Sequence, residues 1–356
     1  MFEQLTSWDN LLNAYKKACK GKRGKPNVAE FEYHLEENLL TIQQALRSKT
    51  YVPSKYYSFH IHEPKKRLIS AAAFKDRVVH HALCNLIEPV FDRSFIYDSY
   101  ANRSFKGTHK AISRCQHFSK KYDYVLQFDL CQFFPSIDHE ILIEIITKKI
   151  NDPDVMWLSS LIINSGVGVL KEAYKMVYFP GDDLFAPLRP RGLPIGNLTS
   201  QLWANVYLNP FDHYVKRVLK CRAYIRYVDD CMVFSNSKKE LWQHKAAIET
   251  KLQHYRLTMH PTNPKPVSEG IPFLGFIVFP FTKRIKRRKA VHFHRTFRRK
   301  VNAFHEGKMT LSKLNESVVA WVNHAHYGNT VGIRKKILSS QLIYPIPKKN
   351  VTKLSR

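Results

Sequence analysis

The amino-acid sequence predicts an α+β fold on three observations. Apolar residues in the N-terminal third recur at helical spacing, as in Phe31, Leu35, Leu39, Ile42 and Leu46. The segments Tyr124–Leu130 (YVLQFDL) and Ala223–Phe234 (AYIRYVDDCMVF) are short, apolar-aromatic and strand-like. Helical and strand-like segments follow one another irregularly, without the steady β–α alternation of a doubly wound sheet.

Between Lys16 and Lys25 the run KKACKGKRGK holds six Lys or Arg, two glycines and no acid. The helical stripe over 31–46 follows it. Tyr124–Leu130 is a strand ending at Asp129, whose carboxylate projects from the strand's end. The chain then passes through CQFFPSID into a helix, with Asp138 as its N-cap and Ile141, Ile145 and Ile146 as its buried face. The stretch Pro180–Pro194 (PGDDLFAPLRPRGLP) is a loop between lobes or strands. Ala223–Phe234 reads as a β-hairpin with Asp229 and Asp230 in its tight turn. A second Pro-rich turn, Pro261–Pro272, precedes a short strand over Phe273–Phe279. From Lys283 to Lys300 ten of 18 residues are Lys or Arg and none is acidic. Val291, Phe293, Phe297 and Val301 give that run an apolar side, so it is a docked element with a basic face rather than a loose tail.

The 356 residues carry 57 Lys and Arg against 29 Asp and Glu, a formal net charge of +28. A hydrophobic share of 44%, with 22 Phe and 18 Tyr, excludes a disordered chain. An excess of this size calls for a polyanion, nucleic acid before an anionic membrane surface. The most apolar stretch, Trp157–Leu170, is interrupted by polar residues and too short to span a bilayer. The start, MFEQLTSWDN, lacks the basic region of a secretory signal. The six cysteines (Cys19, Cys84, Cys115, Cys131, Cys221, Cys231) form no CxxC pair, which speaks against a disulfide scaffold or structural zinc. A cytoplasmic protein is the expectation.

Adjacent carboxylates in a turn repel each other, and a divalent cation is the natural offset. If the fold brings Asp129 to Asp229 and Asp230, three carboxylates could hold two Mg²⁺ ions about 3.5–4 Å apart, with Mn²⁺ as a substitute. One ion would activate a primer 3′-hydroxyl and the other would stabilise the leaving pyrophosphate.

These residues resemble the reverse transcriptases. Tyr227-Val228-Asp229-Asp230 matches their YxDD motif, and Asp129 with its Phe-rich successor matches their first acidic motif. Lys65–Phe95 is similar to their fingers region, and Ser99–Arg103 (SYANR) stands where many bacterial members have SYGFR. Phe273-Leu274-Gly275 resembles the FLG motif that closes the palm, and Trp321–His324 (WVNH) resembles a short thumb motif. Gly192–Gln201 (GLPIGNLTSQ) points further: Ile195 replaces a customary Gln, and Gln201 follows Ser200 where a Pro is usual. This form is similar to the reverse transcriptases of diversity-generating retroelements. Those enzymes copy a template-repeat RNA into cDNA and misincorporate opposite template adenines, so that the cDNA diversifies a target gene.

The resemblance implies a right-hand polymerase architecture: an N-terminal helical extension over 1–50, fingers over 51–123, a palm with inserted fingers segments over 124–282, and a basic helical thumb over 283–356. It implies that Asp129, Asp229 and Asp230 bind metal, assisted by the Leu130 carbonyl. Phe134 stands where the family has its steric gate, its ring pressing against a 2′-hydroxyl, with core packing as the other role open to it. Arg67 holds the incoming triphosphate, or alternatively a backbone phosphate. Ile195 and Gly196 lie near the nascent base pair, where an aliphatic side chain removes a hydrogen bond that checks pair geometry. Arg103 and the thumb residues Arg287, Arg288, Arg298 and Arg299 contact nucleic acid. The implied partners are template-repeat RNA, the RNA–cDNA duplex, dNTPs and a small, basic, helical-bundle accessory protein, in a bacterial or phage-encoded setting.

Lys265 is too awkwardly spaced to serve as a pyrophosphate acid. The pairs His60/His62, His292/His294 and His324/His326 lack the carboxylate or Cys company of a metal site. Phe293, Phe297, Trp321 and Tyr327 are thumb core before they are base-stacking platforms. Competing readings are a group II intron-like or retron reverse transcriptase of ordinary fidelity, an RNA-templated RNA polymerase (disfavoured by Phe134), and a non-catalytic RNA-binding scaffold.

Overall fold

In the computed structural model, which describes residues 1–62 and 66–344, helices and antiparallel strands alternate irregularly, as the sequence predicts. The chain divides into two compact units. The first comprises Met1–Gly107, Leu126–Val233 and Ser237–Pro264, and the second comprises Thr108–Val125, Phe234–Asn236 and the chain from Lys265 onward. Lys65 at the head of the fingers-like segment, and residues 345–356 of the expected thumb, lie outside the described residues.

The first unit is built on buried helices. Ser7 caps helix Trp8–Cys19, whose Leu11, Ala14, Tyr15 and Ala18 face inward against helix Phe74–Asp92. The stripe over 31–46 is not one helix. It breaks at His34 into Pro26–Tyr33 and Leu35–Arg47, and Asn38 Nδ2 donates to the Phe31 carbonyl across the break. Glu36 and Glu37 occupy the first turn of the second piece, where the helix dipole favours acids. Phe31, Leu39, Ile42 and Leu46 are still buried, because the apolar spacing survives the break.

Helix Leu198–His213 runs through this unit, packing on Phe74–Asp92 and on His139–Thr147. It is buried almost all round, so its sequence shows no polar face. Asp138 caps helix His139–Thr147 by accepting from Ile141 N at 3.1 Å. Leu142, Ile145 and Ile146 face inward there, while Ile141 is only half-buried.

Strands β1 (Tyr57–Ile61) and β2 (Arg67–Ala71) form an antiparallel pair, in register from Tyr57↔Ala71 to Ile61↔Arg67. Strand β3 (Tyr124–Asp129) neighbours β5 (Asp230–Ser235), and β5 pairs with β4 (Tyr224–Tyr227) from Tyr224↔Val233 to Tyr227↔Asp230. The register places Val228 and Asp229 in the hairpin turn and makes Asp230 the first residue of β5, so one acid, not two, occupies the turn.

In the second unit β6 (Lys265–Pro266) pairs with the Tyr124–Val125 start of β3. The expected strand over Phe273–Phe279 is instead a hairpin of β7 (Ile271–Phe273) and β8 (Phe276–Val278), with β9 (Lys283–Ile285) beyond. Leu274 and Gly275 form its turn with φ of 45° and 95°, the left-handed pair that two-residue hairpins require. The basic run becomes β9 and helix Arg287–His305, which buries Ala290, Phe293, Phe297, Val301 and Phe304. Val291 is exposed, since Ala290 occupies the inward position instead. Phe293 stacks on Trp321 of helix Leu311–His326 at 4.0 Å between ring centroids, so both aromatics serve the core.

Candidate active site

Asp129 is the last residue of β3, where the strand reaches solvent. The next residue, Leu130, bridges to Met259 through the flanking bonds Cys131 N to Thr258 O and His260 N to Asp129 O. That bridge leaves the Leu130 peptide group unused, and its N–H donates to Asp229 O at 3.4 Å. Two acids distant in sequence are thereby joined. The Asp229 carboxyl is pushed up to about 6, first by burial and then by the Asp129 carboxylate, while the Arg67 and Arg226 guanidiniums pull it back. Arg67, at the start of β2, is thus within electrostatic reach of the carboxylate pair.

A half-buried carboxylate opposed by a second, exposed one is a set of hard oxygen donors that suits Mg²⁺. Asp230 Oδ1 accepts from Gln127 Nε2 at 3.1 Å, and no three His, Cys, Asp or Glu side chains converge to hold a metal among the described residues. Asp229 belongs to the turn and Asp230 is the first residue of β5.

The turn is strained and held from below. Val228 has φ 59°, a left-handed conformation that a β-branched residue rarely adopts. Arg226 is fully buried, and its Nη1 donates to Val228 O at 3.2 Å and to Asn205 Oδ1 at 3.0 Å. Its Nε and Nη2 grip Asp212, with Nη2 to Oδ2 at 2.7 Å, and Tyr224 donates to Asp212 Oδ1 at 2.9 Å. Burial alone would favour a neutral guanidine, but the adjoining Asp212 carboxylate holds Arg226 charged. The SYANR segment docks on the same strand, with Arg226 N donating to Asp98 O and Tyr100 N to Arg226 O, both at 3.0 Å.

Arg103, expected to contact nucleic acid, is instead an internal brace. Its guanidinium donates to Asp92 Oδ1 at 2.6 Å and to the Ile96 and Ser99 carbonyls, and its side chain is 8% exposed. With a further bond from Nη2 to the Asp92 carbonyl, four of its five N–H donors are spent inside the fold.

Phe134 is half-buried on the short helix Phe133–Ser136, and its carbonyl accepts from Leu193 N at 3.0 Å. That bond ties it to the loop carrying Ile195 and Gly196. The half-exposed Ile195 accepts from Ser70 N at 2.8 Å through its carbonyl. Gly196 has φ 116°, and a Cβ there would stand 2.8 Å from Ile69 Cγ2, so a side chain is excluded twice. Buried Asn197 fastens this loop to β2: its Oδ1 accepts from Ala72 N at 3.0 Å, and its Nδ2 donates to Ser70 O at 2.8 Å. Ser200 donates to Pro194 O at 2.7 Å, whereas Gln201 is exposed. Tyr227 is half-buried opposite Asp230. Arg287, Arg288, Arg298 and Arg299 lie exposed on helix Arg287–His305 of the second unit.

Arg226, Asp212, Asn205 and Asn197 escaped the sequence reading. The first two had a signal, since each is a lone charge inside an otherwise apolar segment, AYIRYV and ANVYLNPFDH, and such charges of opposite sign tend to pair.

A family model described as reverse transcriptase (RNA-dependent DNA polymerase) matches residues 60–278. Protein YkfC of Escherichia coli (strain K12) is 24% identical over 297 residues, covering 70% of this chain and 73% of that protein. The group II intron-encoded protein LtrA of Lactococcus lactis subsp. cremoris is 25% identical over 183 residues, covering 51% of this chain and only 28% of LtrA. Among solved structures, apo telomerase from Candida tropicalis truncated from its C-terminal domain is similar with a TM-score of 0.45 and 13% identity, over 71% of this chain and 60% of that one. No helix among the described residues is long and apolar enough to cross a membrane.

Proposed function

The chain belongs to the reverse transcriptase (RNA-dependent DNA polymerase) family, and from that premise we propose that this RNA-directed DNA polymerase serves a diversity-generating retroelement. It would copy a template-repeat RNA into cDNA with misincorporation at template adenines. The observation that carries the polymerase chemistry is the pairing of Asp129 with Asp229 beside Arg67. The observation that carries the subtype is Ile195 in the GLPIGNLTSQ segment.

In this reading Asp129, Asp229, Asp230 and the Leu130 carbonyl would hold Mg²⁺, or Mn²⁺ in its place. When bound, the cations supply Lewis acidity to the primer 3′-hydroxyl and to the leaving pyrophosphate. Arg67 clamps the triphosphate of the incoming dNTP through paired guanidinium donors. The Phe134 ring excludes a 2′-hydroxyl. Ile195 and Gly196 meet the nascent base pair without a polar side chain to test its geometry, so a wrong pair is rejected less strongly. Residues 51–123 act as fingers, 124–282 as palm and 283–356 as a thumb that grips the RNA–cDNA duplex through Arg287, Arg288, Arg298 and Arg299. A small basic helical-bundle protein and a structured RNA complete the cytoplasmic particle, whose gene is bacterial or phage-borne.

The test is to extend a primer on an adenine-rich RNA template and sequence the cDNA from the native chain and from Ile195→Gln. Errors concentrated at adenines, and reduced by Ile195→Gln, support the reading. Uniform low error in the native chain returns it to an ordinary-fidelity reverse transcriptase, and unchanged adenine errors in the variant remove Ile195 from the account.

A further inference from the structure

A cleft of about 650 Å³ lies in the first unit between the Arg93–Tyr97 segment and the end of helix Leu198–His213. It is lined by Arg93, Lys149, His213, Lys216 and Arg217, and no acid is among its lining residues. None of the residues assigned to polymerisation lines it. Arg93, Lys149 and Arg217 are exposed. Lys216 is already engaged, donating to Arg222 O at 2.6 Å.

Two further observations distinguish this cleft from an ordinary basic surface. Asn209 lines it and is only 8% exposed, and its Nδ2 donates to Ser94 Oγ at 3.1 Å. Its Oδ1, however, is buried with no hydrogen-bond partner. A buried amide oxygen without a donor is destabilising, so a ligand hydroxyl that supplies one is favoured. The helix also leaves regular α geometry here. Tyr214–Val218 forms a π-helical turn carrying Lys216 and Arg217, a departure that recurs at functional sites. His213 Nε2 donates to Ser94 O at 2.8 Å and fixes the wall of the cleft.

We infer that this cleft is a second RNA-binding site, which takes a ribose-phosphate segment of the RNA apart from the template–primer in the polymerase site. The inference rests on the reading of the chain as an RNA-directed polymerase. Arg93, Lys149 and Arg217 supply charge to phosphates, and Asn209 Oδ1 accepts from a ribose 2′-hydroxyl. DNA shares the phosphates but lacks that donor, so the site prefers RNA. Tyr97 is 71% exposed at the rim, and the Lys106 ammonium lies 3.5 Å from its ring centroid.

The test uses the full chain, its polymerase site saturated with an unlabelled RNA–DNA primer–template, and a fluorescent 12-nucleotide oligouridine RNA or its oligothymidine DNA counterpart as probe. The triple change Arg93→Ala, Lys149→Ala and Arg217→Ala removes surface charge alone. It should lower the slope of log affinity against log salt for RNA by about two units. Asn209→Leu should cut the preference for RNA over DNA by about two- to tenfold, and Asn209→Asp, which keeps the shape, checks that a loss is not misfolding. Unchanged slope and affinity in the triple variant would overturn the site. Equal weakening of RNA and DNA by Asn209→Leu would overturn its 2′-hydroxyl readout. Primer extension is measured in parallel: a native chain that fails to extend defeats the polymerase reading, while the salt slopes still decide the cleft.

Discussion

Arg226 and Asp212 form an ion pair with no solvent exposure on either side chain, Nε lying 2.8 and 2.9 Å from the two carboxylate oxygens, beneath the turn that carries Asp229. Removing one partner strands the other's charge in the core. Arg226→Leu should therefore cost about 3–5 kcal/mol of unfolding free energy, whereas the double change Arg226→Leu with Asp212→Leu should cost markedly less. Urea titrations of the four members of this cycle check it, and an additive double variant would deny the coupling.

Asp229→Asn and Asp129→Asn should each lower primer extension by about a thousandfold, the equivalent of roughly 4 kcal/mol of transition-state stabilisation. Neither should lower thermal stability, because each change removes one of two opposed carboxylates. Single-turnover extension and a melting curve on the same preparations separate the two effects. A variant that lost activity only by unfolding would contradict the assignment.

Phe134→Ala should raise use of rNTPs relative to dNTPs by roughly tenfold or more, since the loss of a steric contact is worth about 1–3 kcal/mol. Competitive incorporation from mixed pools measures the ratio. If the ratio is unchanged and only stability falls, the ring packs the core and excludes nothing.

Asn197→Leu keeps the size of the side chain but leaves Ala72 N and Ser70 O without their partner. A loss of about 1–3 kcal/mol per unsatisfied group is expected, together with a raised KM for dNTP as the Ile195–Gly196 loop comes away from β2. Gly196→Ala should act similarly through its clash with Ile69. Denaturation and steady-state kinetics on both variants test whether the loop is positioned through β2.

His80 is wholly buried in helix Phe74–Asp92, and burial pulls its imidazole down to about 4. The folded chain thus holds His80 neutral where the unfolded chain, near its ordinary 6.5, takes up a proton. Stability is complete above about pH 6.5 and declines as the pH falls toward about 4, by up to about 3 kcal/mol from this group. His80→Phe should flatten that segment of the pH–stability curve, as urea midpoints at pH 7.5 and 5 would show.

The parts of this fold that were legible in the sequence are those fixed by local chemistry. Asp138 as a cap, the apolar spacing over 31–46 and the strands around Asp129 and Asp229 each follow from a few neighbouring residues. What was not legible depends on register or distant partners. Whether Asp230 sits in the turn or the strand is a matter of one residue of pairing. Arg103 looked like a free cation because its partners, the Asp92 carboxylate and three carbonyls, come together only when the segment folds back on itself. Asn197 looked like one polar letter in a motif, yet it fastens a loop to a strand far away in sequence.

Val228 occupies the one place in Tyr227–Asp230 where the motif tolerates any letter, and it is also where the backbone is least comfortable. Gly or Asn there would relax the turn by roughly 1 kcal/mol, so drift at this position is open in the thermodynamic sense. The carbonyl of that same residue is held by Arg226, outside the motif altogether. A lineage could therefore keep all four letters and become a pseudoenzyme through a change at position 226, and a census of active copies that counts only the motif would miss the loss.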